Sequence, residues 1–159
     1  MRKKSKYKPK RNLVNPLDFV LRGLQPVREL DGVLVDVQLK NHVALDAVRR
    51  GEAEKHDIDV LIGALNMAEA LAINGKGSDW RAELREGQNA LYDLAQKGVE
   101  RGYRFIATGA QLTAINQAMA IHDVQMEVAT VIDIEKAEDL VNKIVLAGKA
   151  RPVIVKEKT

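Results

Sequence analysis

The chain has 159 residues, 46% of them hydrophobic but only 4% aromatic, with no cysteine and a formal net charge of +3 at neutral pH. That length suits one domain with a real core, the missing cysteine excludes disulfides and thiolate metal sites, and no apolar run approaches the roughly 20 residues that span a bilayer. The net charge conceals a segregation: residues 1–12 hold seven cations and no acid, residues 149–159 hold four cations against Glu157, and the stretch between holds 21 acids against 14 cations.

The basic ends, and not the fold, therefore carry the isoelectric point of 9.1. At the N-terminal end, "MRKKSKYKPKR" is followed by "NLVNPLDFVLRG", which Asn, Pro, Asp and Arg break up, so no secretory h-region is present and a cytoplasmic location is expected. Seven clustered cations suit contact with several phosphates, each contact releasing counterions. Such contacts give affinity without sequence choice. Tyr7 suits stacking on an exposed base, and Lys8-Pro9 favours an extended backbone. Residues 1–13 are thus expected to form a nucleic-acid-binding arm through Arg2, Lys3, Lys4, Lys6, Tyr7, Lys8, Lys10 and Arg11. The alternatives are a docking arm for a protein, including the acidic surface of another copy, and a solvated basic leader.

Asn15 as cap, Pro16 in the first turn and Gly23 past the end predict a short helix. Between residues 30 and 50 two periods compete. Val33, Val35, Val37 and Leu39 alternate as a strand would, while Leu30, Val33, Leu34, Val37, Asn41, Ala44, Leu45 and Val48 share one helical stripe; one long helix is preferred. "DIDVLIGALNMAEALAING" carries two apolar stripes, one through Ile58, Leu61, Ile62, Leu65, Ala68 and Ala72, the other through Val60, Ala64, Met67 and Leu71. A helix apolar on two sides belongs at the centre of a bundle. Ser78 or Asp79 is expected to cap the next helix, whose stripe of Trp80, Leu84, Gly87, Leu91 and Leu94 runs to Gly98, with Gly87 marking close approach to a neighbour.

Tyr103 to Ala107 is a short extended candidate, and Thr108 or Gly109 opens a helix with Leu112, Ile115, Met119, His122, Met126 and Ala129 on one side. Asp133 is expected to cap the last helix, with Ile134, Ala137, Val141 and Ile144 inward and Gly148 at its end. "RPVIV" then reads as a terminal strand or an extended tail. The expected fold is mainly α: an antiparallel bundle of five to six helices over residues 14–148, with at most one short two- or three-stranded element, and a basic tail over 149–159.

No sequence motif names a reaction. "GKGSD" lacks the strand and spacing of a phosphate loop, and no HExxH, EF-hand loop or GxSxG elbow is present. His122 lies on an apolar stripe and is expected to be a satisfied core or boundary residue. His42 reads as a capping or packing residue and His56 as solvated. Asn66, Glu69, Asn116, Gln117 and His122 each lie on or beside an apolar helical surface; they would line a small polar pocket, form one register-fixing hydrogen-bond network, or simply face water. No catalytic residue, metal ligand or cofactor is assigned.

The blocks "KYKPKR", "QLKNHVAL", "LIGALNMAEAL" and "YRFIATGAQLTAINQAMAIHDVQMEVAT", in that order over most of the chain, resemble small proteins encoded by tailed phages and prophages of proteobacteria. The resemblance implies origin more than mechanism and transfers no functional residue. The first expectation is a non-enzymatic phage-type accessory or regulatory protein whose helical body binds a partner or itself while the arm contacts nucleic acid. The second expectation is an inhibitor of a host factor or defence complex, with the acidic body mimicking nucleic-acid charge. An enzyme or small-molecule binder built on Asn66, Glu69 and His122 is the third.

Overall fold

A computed structural model describes residues 16–149; the arm, Asn15 and the tail beyond Lys149 lie outside the described residues. Six α-helices are found among them: α1 (Pro16–Gly23), α2 (Val33–Arg50), α3 (Lys55–Ile73), α4 (Arg81–Glu100), α5 (Gly109–Val128) and α6 (Val131–Leu146), with 3₁₀ turns at Val27–Glu29 and Ser78–Trp80. The expected helical bundle is therefore the observed fold. No strand occurs among the described residues, and the one ladder-like contact is an isolated antiparallel bridge between Pro26 and Thr130. None of these helices is long and apolar enough to cross a membrane.

The two apolar stripes of α3 make it the hub, in contact with α2, α4, α5 and α6. Ile58, Leu61, Leu65, Ala68 and Ala72 join Leu45, Val48, Leu84, Leu91, Ile115 and Met119 in the larger core. On its other side, Ala70 and Leu71 pack with Val27, Leu34, Met126 and Ala137 in a second core beneath α6. Few aromatics are needed because small residues let the helices approach. A Cβ placed on Gly87 would lie 2.3 Å from the Ala118 Cβ and 3.1 Å from the Ala114 carbonyl oxygen, so only glycine admits this α4–α5 contact.

The ambiguous segment is helical. Leu34, Asn41, Ala44, Leu45 and Val48 of α2 are buried, whereas Val35 and Leu39 of the rival alternating pattern are exposed. An α-helix satisfies its own backbone hydrogen bonds, and no neighbouring strand is available among the described residues to satisfy those of a strand. Tyr103–Ala107 likewise finds no ladder. Left-handed Gly102 and Tyr103 reverse the chain after α4, and Phe105 comes to lie over Gly98, where a Cβ would meet its ring at 2.1 Å.

Capping corrects three boundary expectations. Gly23 is the last residue of α1 rather than the residue past its end. Ser78 begins a 3₁₀ turn, and its hydroxyl donates to the Ala72 carbonyl at 2.9 Å, closing α3 instead of opening α4. The cap of α6 is Thr130, with Asp133 as its reciprocal partner: the Asp133 carboxylate accepts the Thr130 N–H at 2.9 Å, while the Thr130 hydroxyl accepts the Asp133 N–H at 3.4 Å. Burial raises the Asp133 pKa, but the Thr130 bonds and Lys76, 3.4 Å away, outweigh it and hold the carboxyl below its ordinary value. Thr108 and Gln111 form the same capping box at the start of α5.

Candidate functional site

Among the described residues a groove of about 510 Å³ is floored by α3 and walled by α4 and α6. Its α3–α4 side is held by a hydrogen-bonded chain. The Arg85 guanidinium pairs with Glu69, and the Gln88 amide donates to Glu69 Oε2 at 2.9 Å and to Asn66 Oδ1 at 3.3 Å. These pairings set 85 against 69 and 88 against 66, so α3 and α4 run antiparallel. Lys76 bridging Asp133, and Asn66 and Met67 lying beside Glu138 and Val141, show that α6 also opposes α3. Arg81 and Ile73 therefore mark one end of the groove, and Ile62, Tyr92 and Lys149 the other. Ile73 at the first end and Ile144 and Val145 near the second leave apolar surface exposed.

A second surface lies across α2 and α5. Gln38 donates to Glu127 at 3.5 Å, the His42 Nε2 sits 2.7 Å from Asp123 Oδ2, and Arg49 donates to Asn116 Oδ1 at 3.1 Å. On the α2 side of this polar seam, Val35, Leu39 and Val43 recur every fourth residue and are each more than half exposed; on the α5 side Val124 and Val128 are about half exposed. Leu17, Val20 and Leu21 of α1, with Leu24 just after it, form a third exposed apolar row.

His122 is buried, with its Nδ1 bonded to no group among the described residues. Burial lowers its pKa from the ordinary 6.5 to about 4, against a smaller upward pull from the Asp123 carboxylate. At neutral pH it is an uncharged core side chain: its place on an apolar stripe implied the burial, but the expected satisfaction of its ring is not met at Nδ1 among the described residues. Three residues on, buried Gln125 donates to the Ala68 and Lys76 carbonyls at 2.9 and 2.8 Å and so ties α5 to the end of α3.

The predicted polar group therefore divides. Asn66 and Glu69 share the groove with Arg85 and Gln88; Asn116 belongs to the α2–α5 seam; Gln117 is exposed; His122 is in the core and does not line the groove. They converge on no common pocket, because Asn66 and Glu69 face away from the side of α3 that packs on α5. His42 is neither a cap nor a packing residue but an exposed partner of Asp123. His56 is exposed, as expected. The arm residues from Arg2 to Arg11 lie outside the described residues. Sequence reasoning missed Arg81, Arg85, Gln88 and Tyr92. Their spacing of i, i+4, i+7 and i+11 along α4 was the available signal for a polar groove wall opposite the core stripe. No group of three or more histidines and carboxylates that could hold a metal ion occurs among the described residues.

No protein-family model, no curated protein and no solved structure matches this chain.

Proposed function

We propose that this is a non-enzymatic phage-type accessory or regulatory protein, whose helical body binds a protein partner or a second copy while residues 2–11 contact nucleic-acid phosphates. The observation that carries the first half is the α2–α5 surface, where Val35, Leu39, Val43, Val124 and Val128 flank a polar seam. Singly exposed apolar residues are ordinary, but rows at helical spacing along two adjoining helices mark a contact surface. The charge segregation supports the second half, since the cations stand apart from a body in which acids predominate. Exposed Glu135, Glu138 and Asp139 along α6 favour the second reading, an acidic body that occupies a basic groove on a host factor.

Fluorescence anisotropy with a generic labelled duplex, at 50 and 200 mM salt, tests the proposal. If the arm's seven cations neutralise that many phosphates, affinity falls roughly 10³–10⁴-fold between the two salts. Deleting residues 2–11 then weakens binding and flattens the slope. Binding unchanged by the deletion refutes the arm, and its absence at low salt together with recovery of a host protein on the immobilised body supports the charge mimic. For the body, Leu39→Glu should abolish capture of the partner or self-association without altering the far-ultraviolet circular dichroism.

A further inference from the structure

The turn from α4 into α5 holds an exposed aromatic ring between two cations. Helices α3 and α4 run antiparallel, so this turn lies at the same end of the bundle as the connection from α2 to α3. Four cations at that end have partners: Arg49 donates to Asn116, Arg50 pairs with Asp46 and Glu52, Lys55 with Asp59, and Lys97 with Asp93. Arg101 and Arg104 are exposed, and neither side chain makes an ion pair or hydrogen bond among the described residues. Exposed Glu100 is the acid beside them in the chain.

Tyr103 stands between these arginines at φ +65°, in the left-handed region that a residue with a Cβ enters at a cost. The backbone is pinned on both sides of it. The Gly102 N–H donates to the Val99 carbonyl at 3.1 Å, and the Arg104 N–H to the Gly98 carbonyl at 3.1 Å. Phe105 is buried over Gly98, and its ring meets that of Tyr103 edge to face with centroids 6.4 Å apart. Tyr103 is nevertheless 46% exposed. Glycine would hold this backbone without strain, yet a phenol ring occupies the position and is kept in water.

We propose that Tyr103, Arg101 and Arg104 form a contact site for single-stranded nucleic acid on the folded body, separate from residues 2–11. The ring stacks on a base, and the guanidinium groups on either side take the adjoining phosphates. Stacking needs a base with a free face, which the stacked bases of a duplex do not offer, so the site selects single strands. Because the loop is already ordered, the ring gives up little freedom on binding. The surroundings favour a strand over a protein. An aromatic anchor of a protein interface sits within a patch that excludes water, whereas Tyr103 has Gly102 and two arginines about it and Ile106 as its exposed apolar neighbour.

Fluorescence anisotropy on the full-length protein, with a labelled oligodeoxythymidine strand and a labelled duplex, tests the site. Tyr103→Gly should weaken binding to the strand roughly 5- to 150-fold, the loss of one stacked base, and leave binding to the duplex unchanged. Tyr103→Phe should bind the strand as wild type does. On a strand of abasic sugars, wild type and Tyr103→Gly should bind alike. Changing Arg101 and Arg104 together to Gln should flatten the logarithmic salt slope for the strand by about 1.4, the share of two phosphates. Any contact made by residues 2–11 is common to all these proteins and cancels in the comparison. Tyr103→Gly places at the left-handed position the residue that adopts it most freely, so the variant should melt no lower than wild type. In wild type, adding the strand should shift the backbone amides of Gly102, Tyr103 and Arg104. Unshifted loop amides overturn the inference, as does an equal loss on strand and duplex or no loss on either. Capture of a protein that depends on Tyr103 while strand binding does not overturns it too, and assigns the loop to a protein partner.

Discussion

Lowering the pH from 8 to 5 should destabilise this fold by about 2 kcal/mol through His122 alone. The imidazole is buried among apolar side chains, which lowers its pKa from 6.5 to about 4. Between those values the unfolded chain binds a proton that the native chain refuses. The unfolded state therefore gains stability as pH falls: the contribution is fully present above pH 6.5, is lost progressively below it, and levels off once the native histidine also protonates near pH 4. The full span of the shift is worth about 3 kcal/mol, of which about 2 has been lost by pH 5. Urea unfolding followed by circular dichroism at pH 8, 6 and 5 reads this out. At a typical slope of 1–3 kcal/mol per molar urea, the loss moves the midpoint by roughly 1 M. His122→Gln removes the titrating group while leaving the exposed His42 and His56 in place, so the difference between the two proteins isolates the buried ring. Parallel pH profiles for wild type and variant would refute the reasoning, because they would mean that the imidazole reaches a proton donor or solvent in the native state.

Two glycines in helices should respond to the same substitution in opposite directions. Gly87→Ala places a methyl 2.3 Å from the Ala118 Cβ and close to a backbone carbonyl that cannot move aside, so the gain of about 1 kcal/mol in helix propensity is outweighed and the protein loses roughly 2 kcal/mol. Gly63→Ala, in the middle of α3 with nothing within 4 Å of the added Cβ, should instead raise stability by about 0.5–1 kcal/mol, and the pair are compared by thermal melting under identical conditions.

Much of the fold was legible because it follows from local periodicity. The double apolar face of residues 57–74 announced a central helix, and α3 touches four others. Gly87 on a leucine stripe announced a close crossing, and Ala118 supplies it. The apolar neighbours of His122 announced a core residue, and burial holds it neutral. The boundaries were less legible where two residues compete for one role. Thr130 and Asp133 cap each other, and the sequence alone does not say which stands outside the helix. Ser78 serves the helix behind it instead of the one ahead.

What the sequence by itself determined is therefore the set of helices, their buried stripes and the separation of basic ends from an acidic body, since each depends on residues within a few turns of one another. Only the tertiary structure decided which polar residues meet. Asn66 and Glu69 find Gln88 and Arg85 some twenty residues away, Asn116 finds Arg49, and His42 finds Asp123. Those pairings depend on which neighbour each side of α3 and α5 receives and on the direction in which it runs. A stripe of apolar residues requires only some partner, whereas a hydrogen bond requires a particular atom within about 3 Å. Periodicity carries the first kind of information along the chain, and the second exists only once the helices are packed.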